Sequence, residues 1–478
     1  MLQAMDKKFD PVTVKIHAPV KTAVSAFLAT SNEGRGIYER EGWAAGQKGM
    51  RTITFVRTSG PAEPMDFRLE WVGNDGSFTT EDSLTLPLNA PVKLAVSIAI
   101  SGTGPHSAIL NLRRPDEPWI AYQVLTTIVA ADDFTPANHY QIVHNEPVDR
   151  PGSSSYFLRV PPKTTALQIE IDAPDAKPTL RGSVITPDHS GSVPFGILGM
   201  TKKGHLSSTI KNPTPGVWEI VLYGNNFVFF PEQIDSKPLS AVPTKLTASL
   251  VSVVASETFC QLRQNGVQGC PAEVSFSNRQ AAFHGSAVTA ALGSARRLTG
   301  RLAPGERKVY EINVPPGTEE LSAVISQLSN PADDVDLYLF QDVKGIAVLR
   351  GSSTGSDAVK SVSAFSPAAG QWKVVVDAYN LSSNSTTYSY IDVFNHTAFG
   401  TITVDDKPAV HESGSEWRVH PQVVLGAVPS GGPILVGHVP VRVEEEEGPQ
   451  DASLTAWEKN LHDSQAGISV GMATFGFK

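Results

Sequence analysis

Cysteine is nearly absent. The 478 residues hold two, Cys260 and Cys270, in the segment CQLRQNGVQGC. No histidine stands nearby to complete a metal set, which excludes a zinc site there. The pair reads either as a disulfide across a short Gly-containing loop or as two thiols beside a turn. The disulfide is the expectation, because a lone close pair in a cysteine-poor chain fits proteins made for an oxidising compartment. Long apolar runs are missing too. Nothing approaches the roughly 18–20 residues that a membrane-crossing helix needs, and the start, MLQAMDKKFDPV, has no apolar core of a signal peptide. Basic surplus is also lacking: the net charge is −9, with no basic run or stripe, which removes nucleic acid as an expected partner. Helical spacing is scarce, confined to the first ten residues and Ser453–Asp463.

What the chain does have points to β-structure. Hydrophobic residues make up 41% and charged residues 18%, a balance of folded rather than disordered protein. Gly (39) and Pro (35) are frequent enough to punctuate many short elements. Segments such as RTITFV (51–56), FRLEWV (67–72), VKLAVSIAI (92–100), LTASLVSVVA (246–255), VDLYLF (335–340) and WKVVVDAY (372–379) mostly alternate apolar and polar residues, as half-buried antiparallel strands do. The fold class expected is all-β, a tandem of β-sandwiches (jelly-roll and fibronectin type III-like) with little helix.

An internal repeat stands out from the residues alone. Tyr156, Val160-Pro161-Pro162, Leu167, Pro213, Gly216, Trp218 and Asn226 recur 154 positions later. The second set is Tyr310, Val314-Pro315-Pro316, Leu321, Pro367, Gly370, Trp372 and Asn380. In each copy a strand ends at Val-Pro-Pro, since proline has no place in a central ladder. A Pro-x-x-Gly turn then delivers a Trp onto a strand, where it should be buried between two sheets. The turn-rich stretches DDFTPANH, IDSKPLSAVP, ALGSARRLTG and FNHTAFG mark boundaries near residues 135, 237, 295 and 395.

Three stretches resemble the tripeptidyl-peptidase II branch of the subtilisin-like serine peptidases. Leu2–Asp10 (LQAMDKKFD) is similar to the last helix of the catalytic domain. Gly34–Tyr38 (GRGIY) with Arg40 resembles an Arg-Gly-Ile-Tyr motif just downstream of it. Gly104–Ala130 resembles a Gly-x-His segment followed by a strand pair. The second repeat resembles the bacterial pre-peptidase C-terminal domain through Asp334-Val335-Asp336-Leu337-Tyr338-Leu339 and Gly370-x-Trp372-x-Val374. In the first copy, the constant offset puts Gly182 where Asp336 stands. The boundaries and the resemblance together give six segments: a catalytic-domain remnant (1–10), a post-catalytic sandwich (11–135), repeat copy one (136–237), a small β module (238–295), repeat copy two (296–395) and a C-terminal module with its tail (396–478), of which the resemblance leaves the small β module and the C-terminal module unassigned. The resemblance implies an accessory region with an upstream peptidase domain and protein substrates as partners, in an extracellular or periplasmic setting. A stand-alone adhesion or carbohydrate-binding protein is the alternative reading.

A subtilisin-like triad needs a base polarised by a carboxylate and set against a serine hydroxyl. Neither a His-Gly-Thr-His nor a Gly-Thr-Ser motif occurs, so no catalytic residue is assigned to this chain. Gly351-Ser352-Ser353-Thr354-Gly355 matches Gly-x-Ser-x-Gly, but that motif works only where a strand turns sharply into a helix, and no helical pattern follows. His411, His420 and His438 lack ligand spacing. Asp333, Asp334 and Asp336, with Asp342, are the one acidic cluster of note. Asp334 and Asp336 are the calcium candidates, against the simpler reading of a solvated strand start with one turn-capping Asp. No other cofactor is expected. Asn380, Asn384 and Asn395 are sequons that matter only if a eukaryote secretes the chain.

Overall fold

The computed structural model describes residues 12–115, 120–162, 164–173, 180–188, 192–197, 204–211, 213–224, 241–256, 258–263, 266–268, 273–354, 359–427, 434–443 and 469–477. Both expected helices, Leu2–Asp10 and Ser453–Asp463, lie outside these residues. So do Cys270, the side chain of Cys260 and Gly355. Among the described residues there is no α-helix, only short 3-10 turns such as Pro136–Asn138. None of their helices is long and apolar enough to cross a membrane.

The first module is a sandwich built from one curled sheet. Strand Val14–Lys21 joins its two halves: Val14–His17 pair with Thr54–Arg57, while Val20 and Lys21 pair in parallel with Tyr38 and Glu39. Alternation along its strands sends Ile53, Phe55, Phe67, Leu94, Val96, Leu110, Leu112, Val124 and Ile128 into a shared core.

Each repeat is an eight-stranded jelly roll. In copy one the strands run Gln141–His144, Gly152–Val160, Ala166–Asp172, Leu180–Ile185, Ser192–Ile197, His205–Lys211, Gly216–Gly224 and Lys245–Val251. In copy two they run Gly293–Leu302, Arg307–Val314, Thr318–Ser326, Asp334–Val343, Ile346–Ser353, Lys360–Phe365, Gly370–Asn380 and Thr386–His396. In both, the first, eighth, third and sixth strands form one sheet and the second, seventh, fourth and fifth the other, the jelly-roll order. The offset of 154 holds at the level of strand register. Tyr156 faces Ile220 and Val160 faces Gly216, as Tyr310 faces Val374 and Val314 faces Gly370.

Both tryptophans occupy the equivalent place. Trp218 and Trp372 are buried, opposite Leu158 and Ile312, and their indole N–H groups donate to Thr214 O (2.8 Å) and Ala368 O (2.9 Å). Gly216 and Gly370 share φ near +130° (130° and 129°), which lets the turn before each Trp form without a Cβ. A further pair went unread in the sequence: Thr164 and Thr318, just past Val-Pro-Pro, each donate a hydroxyl to the first proline's carbonyl at 2.8 Å.

The constant offset breaks on the fourth strand. Arg181 faces Tyr223 and Gly182 faces Leu222, whereas Asp336 faces Asp377 and Leu337 faces Val376, across a bulge between Asp334 and Asp336. The counterpart of Asp336 is therefore Arg181, not Gly182. The extra residue in the bulge slips the register by one, and a gapless comparison cannot see it.

The stretches between and after the repeats share one core. Val274 pairs with Val419, Phe283 with His411, Gly285 with Val443 and Ala290 with Ile402. Val251, Phe276, Leu292, Ile402, Val439 and Val441 meet in the same cluster. Copy two is thus inserted into a third sandwich. These partners lie more than a hundred residues apart, and local periodicity carries no trace of such pairings.

Candidate functional site

The Arg-Gly-Ile-Tyr strand, Ile37–Trp43, forms the joint between the first module and repeat one. Gly36 lies so close to strand Ile120–Ala130 that a Cβ would sit 2.2 Å from Leu125 O, so only glycine fits. Ile37 is buried in the core. Glu39, buried beneath the strand, accepts from Trp43 Nε1 (2.6 Å) and Arg51 Nη2 (2.7 Å), with the Arg51 guanidinium 5.0 Å from the Trp43 ring centre. That carboxylate holds the Arg51 pKa above its ordinary value.

Arg40 points the other way and is fully buried against repeat one. It donates to Val217 O at 3.1 Å, lies 3.4 Å from Glu219 and stacks 5.7 Å from the Phe157 ring centre. Glu41 accepts from Val217 N at 2.9 Å. Arg159 returns the contact, donating to Asp133 (2.8 Å) and to Trp43 O. Val129, Ala131, Phe157 and Val217 close a small apolar core of their own between the modules. An apolar centre with paired charges around it gives a fixed joint rather than a free linker. The sequence offered one signal for it: consecutive charged residues, Glu39-Arg40-Glu41, in a strand that begins and ends on core residues, Ile37 and Trp43.

The Gly-x-His segment places His106 in a Ser-His-Asp grouping that is not a catalytic triad. Ser77 Oγ (3.0 Å) and Asp75 Oδ2 (2.6 Å) both meet the same nitrogen, Nδ1, while Nε2 faces Gly102 O at 3.0 Å. A base must use opposite nitrogens for its nucleophile and its carboxylate. Burial opposes ionisation of Asp75, but hydrogen bonds from Ser77 and His106 prevail and lower its pKa. The grouping ties the 74–77 turn to the 102–106 turn.

The aspartates of copy two have separate tasks. Asp333, buried, accepts from the backbone and hydroxyls of Ser382 and Ser383 and from Asn330. Asp336 accepts from Tyr338 OH at 2.9 Å, and Asp342 caps its turn by accepting from Gly345 N at 2.7 Å. Burial raises the Asp334 pKa to about 6 against the pull of the Lys360 ammonium. Among the described residues no group of three or more His, Cys, Asp or Glu could hold a metal ion. A buried lysine, Lys360, lies close enough to Asp334 to pull on its charge, so this end of the strand carries a cation of the protein's own beside the calcium candidates Asp334 and Asp336.

Gly351–Ser353 end an edge strand, and no helix follows at the described residues. His411 is buried, stacked 3.8 Å from Trp417 and bonded to Gly285 O, and burial lowers its pKa. His438 faces Asn395 and Glu320. Asn395 is buried, which removes that sequon from any modifying enzyme.

Residues 15–130 match the model of an Ig-like domain in actinomycete serine proteases. Pyrolysin of Pyrococcus furiosus is 23% identical over 396 residues, 82% of this chain and 27% of its own length. The chain therefore spans about a quarter of that curated relative. Among solved structures, tripeptidyl peptidase 2 (TPP II) aligns with 98% of the chain and 40% of its own at TM-score 0.44 and 10% identity. The secreted serine protease VesC of Vibrio cholerae aligns with 45% of the chain and 48% of its own at TM-score 0.27 and 11% identity. The chain is thus homologous to pyrolysin, a subtilisin-like peptidase, over much of its length, and its residues 15–130 are similar to the Ig-like domain of actinomycete serine proteases.

Proposed function

We propose that this chain is the non-catalytic accessory region of a secreted subtilisin-like serine peptidase, holding jelly rolls in fixed positions beside an upstream catalytic domain. The observation that carries the reading is continuity. The Ig-like match covers the first module, and similarity to pyrolysin runs on through the repeats, with a buried joint at Arg40 locking the two together. Modules held near an active site raise the effective concentration of a protein substrate without adding chemistry. A rigid joint keeps them from diluting that effect.

The purified chain is expected to hydrolyse no peptide substrate and to take no label from a fluorophosphonate probe. The parent peptidase, with its upstream domain, should do both. Removing residues 135–478 from that parent should preserve cleavage of small peptides while lowering thermal stability or activity on large proteins. Stoichiometric labelling of the isolated chain would overturn the reading. An unchanged deletion mutant would argue for adhesion or carbohydrate binding instead.

A further inference from the structure

The Arg-Gly-Ile-Tyr motif divides by role. Gly36 and Ile37 are consumed by the fold, but Arg35 and Tyr38 are not. Both are exposed, and neither side chain has a hydrogen bond or ion pair among the described residues. They flank a shallow pocket of about 370 Å³ whose floor includes Gly36 and Leu125. Leu125 is 58% exposed. Across the sheet it pairs with Ile109, and Ile109 pairs with Val72, which is 48% exposed. Three outward positions in register on adjacent strands are therefore Leu, Ile and Val, where the solvent face of an antiparallel sheet is normally polar.

We propose that this stripe, with Arg35 and Tyr38 at its end, is the seat of the catalytic domain that the proposed function places upstream; the inference rests on that reading. The argument is continuity with a joint already built. Tyr38 and Arg40 lie two apart on one strand and so project from the same side. Repeat one covers the Arg40 end, and the Tyr38 end is left open. A second module of the same protein seated there would bury the stripe. Arg35 calls for a carboxylate on that partner, because an unpaired guanidinium at the rim of an apolar contact selects its opposite charge.

The test uses Val72→Asp with Leu125→Asp, and separately Arg35→Glu, each made in the isolated chain and in the full parent. These side chains are exposed, so the isolated chain should melt unchanged. In the parent, the melting temperature of the catalytic domain, followed by loss of fluorophosphonate labelling on heating, should fall by about 4 °C or more for the double variant. The fall should be smaller for Arg35→Glu. No shift in a parent that still labels would overturn the inference while leaving the proposed function standing. An equal fall in both proteins would reduce the stripe to a structural role and overturn it as well. A wild-type isolated chain that sediments as a dimer, made monomeric by the double variant, would assign the stripe to a second copy. Absence of an in-frame peptidase domain upstream would remove both the inference and the reading on which it rests.

Discussion

At position 157 of the first repeat stands phenylalanine; at the same register in the second, position 311, stands glutamate. At 217 stands valine, and at 371 glutamine. Phe157 and Val217 are buried against the Ig-like module, while Glu311 and Gln371 are exposed. The inward-facing residues barely differ: Tyr156 and Tyr310, Leu158 and Ile312, Val160 and Val314, Trp218 and Trp372. A jelly roll is specified by what its strands point inward, and its neighbour by what they point outward. The inner positions are redundant between copies, whereas two outer positions decide which copy is docked.

The cores differ in one region. Lys360 is buried opposite Ile325, where copy one has Leu206 opposite Ile171. The acids of the fourth strand change with it, Arg181 standing in place of Asp336. Copy two also stacks Tyr310 on Tyr390 at 3.8 Å and links Tyr310 to Tyr388 through hydroxyls at 2.9 Å. In copy one, Leu246 stands at the Tyr390 position and Tyr156 contacts His144. Copy one has the more apolar core and copy two the more ionic one, so they should respond differently to pH.

The largest expected effect tests sameness. Trp218→Ala and Trp372→Ala should each cost about 3–5 kcal/mol, since both remove a buried indole and its hydrogen bond at equivalent sites. Denaturant unfolding of each repeat, followed by hydrogen exchange, measures this. A loss confined to one copy would mean that the shared register hides unequal packing. The next effect tests difference. Phe157→Glu, which installs the residue of copy two, should cost roughly 3 kcal/mol and free repeat one from the Ig-like module, because it removes the ring from the small apolar core with Val129, Ala131 and Val217 and puts a carboxylate there instead. Small-angle scattering should show a longer particle. The reciprocal Glu311→Phe should leave stability nearly unchanged, since nothing covers that face among the described residues.

The sequence made the repeat, its tryptophans and the all-β class legible, because each rests on local signals: alternation, proline stops and a turn before a Trp. It did not reveal the one-residue slip at Asp336, which depends on a bulge, nor the third sandwich, whose strands are separated by the whole of copy two. The joint was half-visible. Arg40 sat in a motif that could be read, but its partners Phe157, Val217 and Glu219 belong to strands whose outward side the sequence leaves unaddressed. The acidic cluster drew attention to Asp334 and Asp336, and the lysine that faces Asp334, Lys360, could not be placed there from the sequence because it lies 24 residues beyond Asp336 on a different strand.

A smaller effect separates the copies by pH. Asp334 has its folded pKa raised to about 6, mainly by burial. The folded protein therefore keeps a proton that the unfolded chain has lost, and stability falls as pH rises from about 4 through 6. Asp334→Asn should remove that decline in copy two and leave copy one unaffected. Melting curves collected between pH 4 and 7 check it. A decline that persists in the variant would assign the titration elsewhere.

The smallest effect belongs to copy one and has the same sign for a different reason. His144 lies where the connector from the Ig-like module meets the repeat, with Nε2 3.0 Å from Asp132 and Nδ1 3.6 Å from Glu146, and its ring packs on Tyr156. On the neighbouring eighth strand it pairs with Leu246, which carries no charge. The hydrogen bond to Asp132 raises the His144 pKa, burial works against it, and the charges of Asp132 and Glu146 add to the rise. Only the imidazolium can donate to both carboxylates at once. A folded-state pKa above the unfolded one gives stability that is complete below about pH 6.5 and is lost as pH climbs through the folded value. His144→Gln should therefore melt earlier than wild type at pH 5.5 and converge with it by about pH 8, with a difference under about 1 kcal/mol because the pair is partly solvated. Asp132→Asn should reproduce the effect, since it removes the principal cause of the shift. Convergence at acidic pH and divergence at alkaline pH would reverse the sign and show that His144 is held neutral, with the connector secured by Arg159 and Asp133 alone.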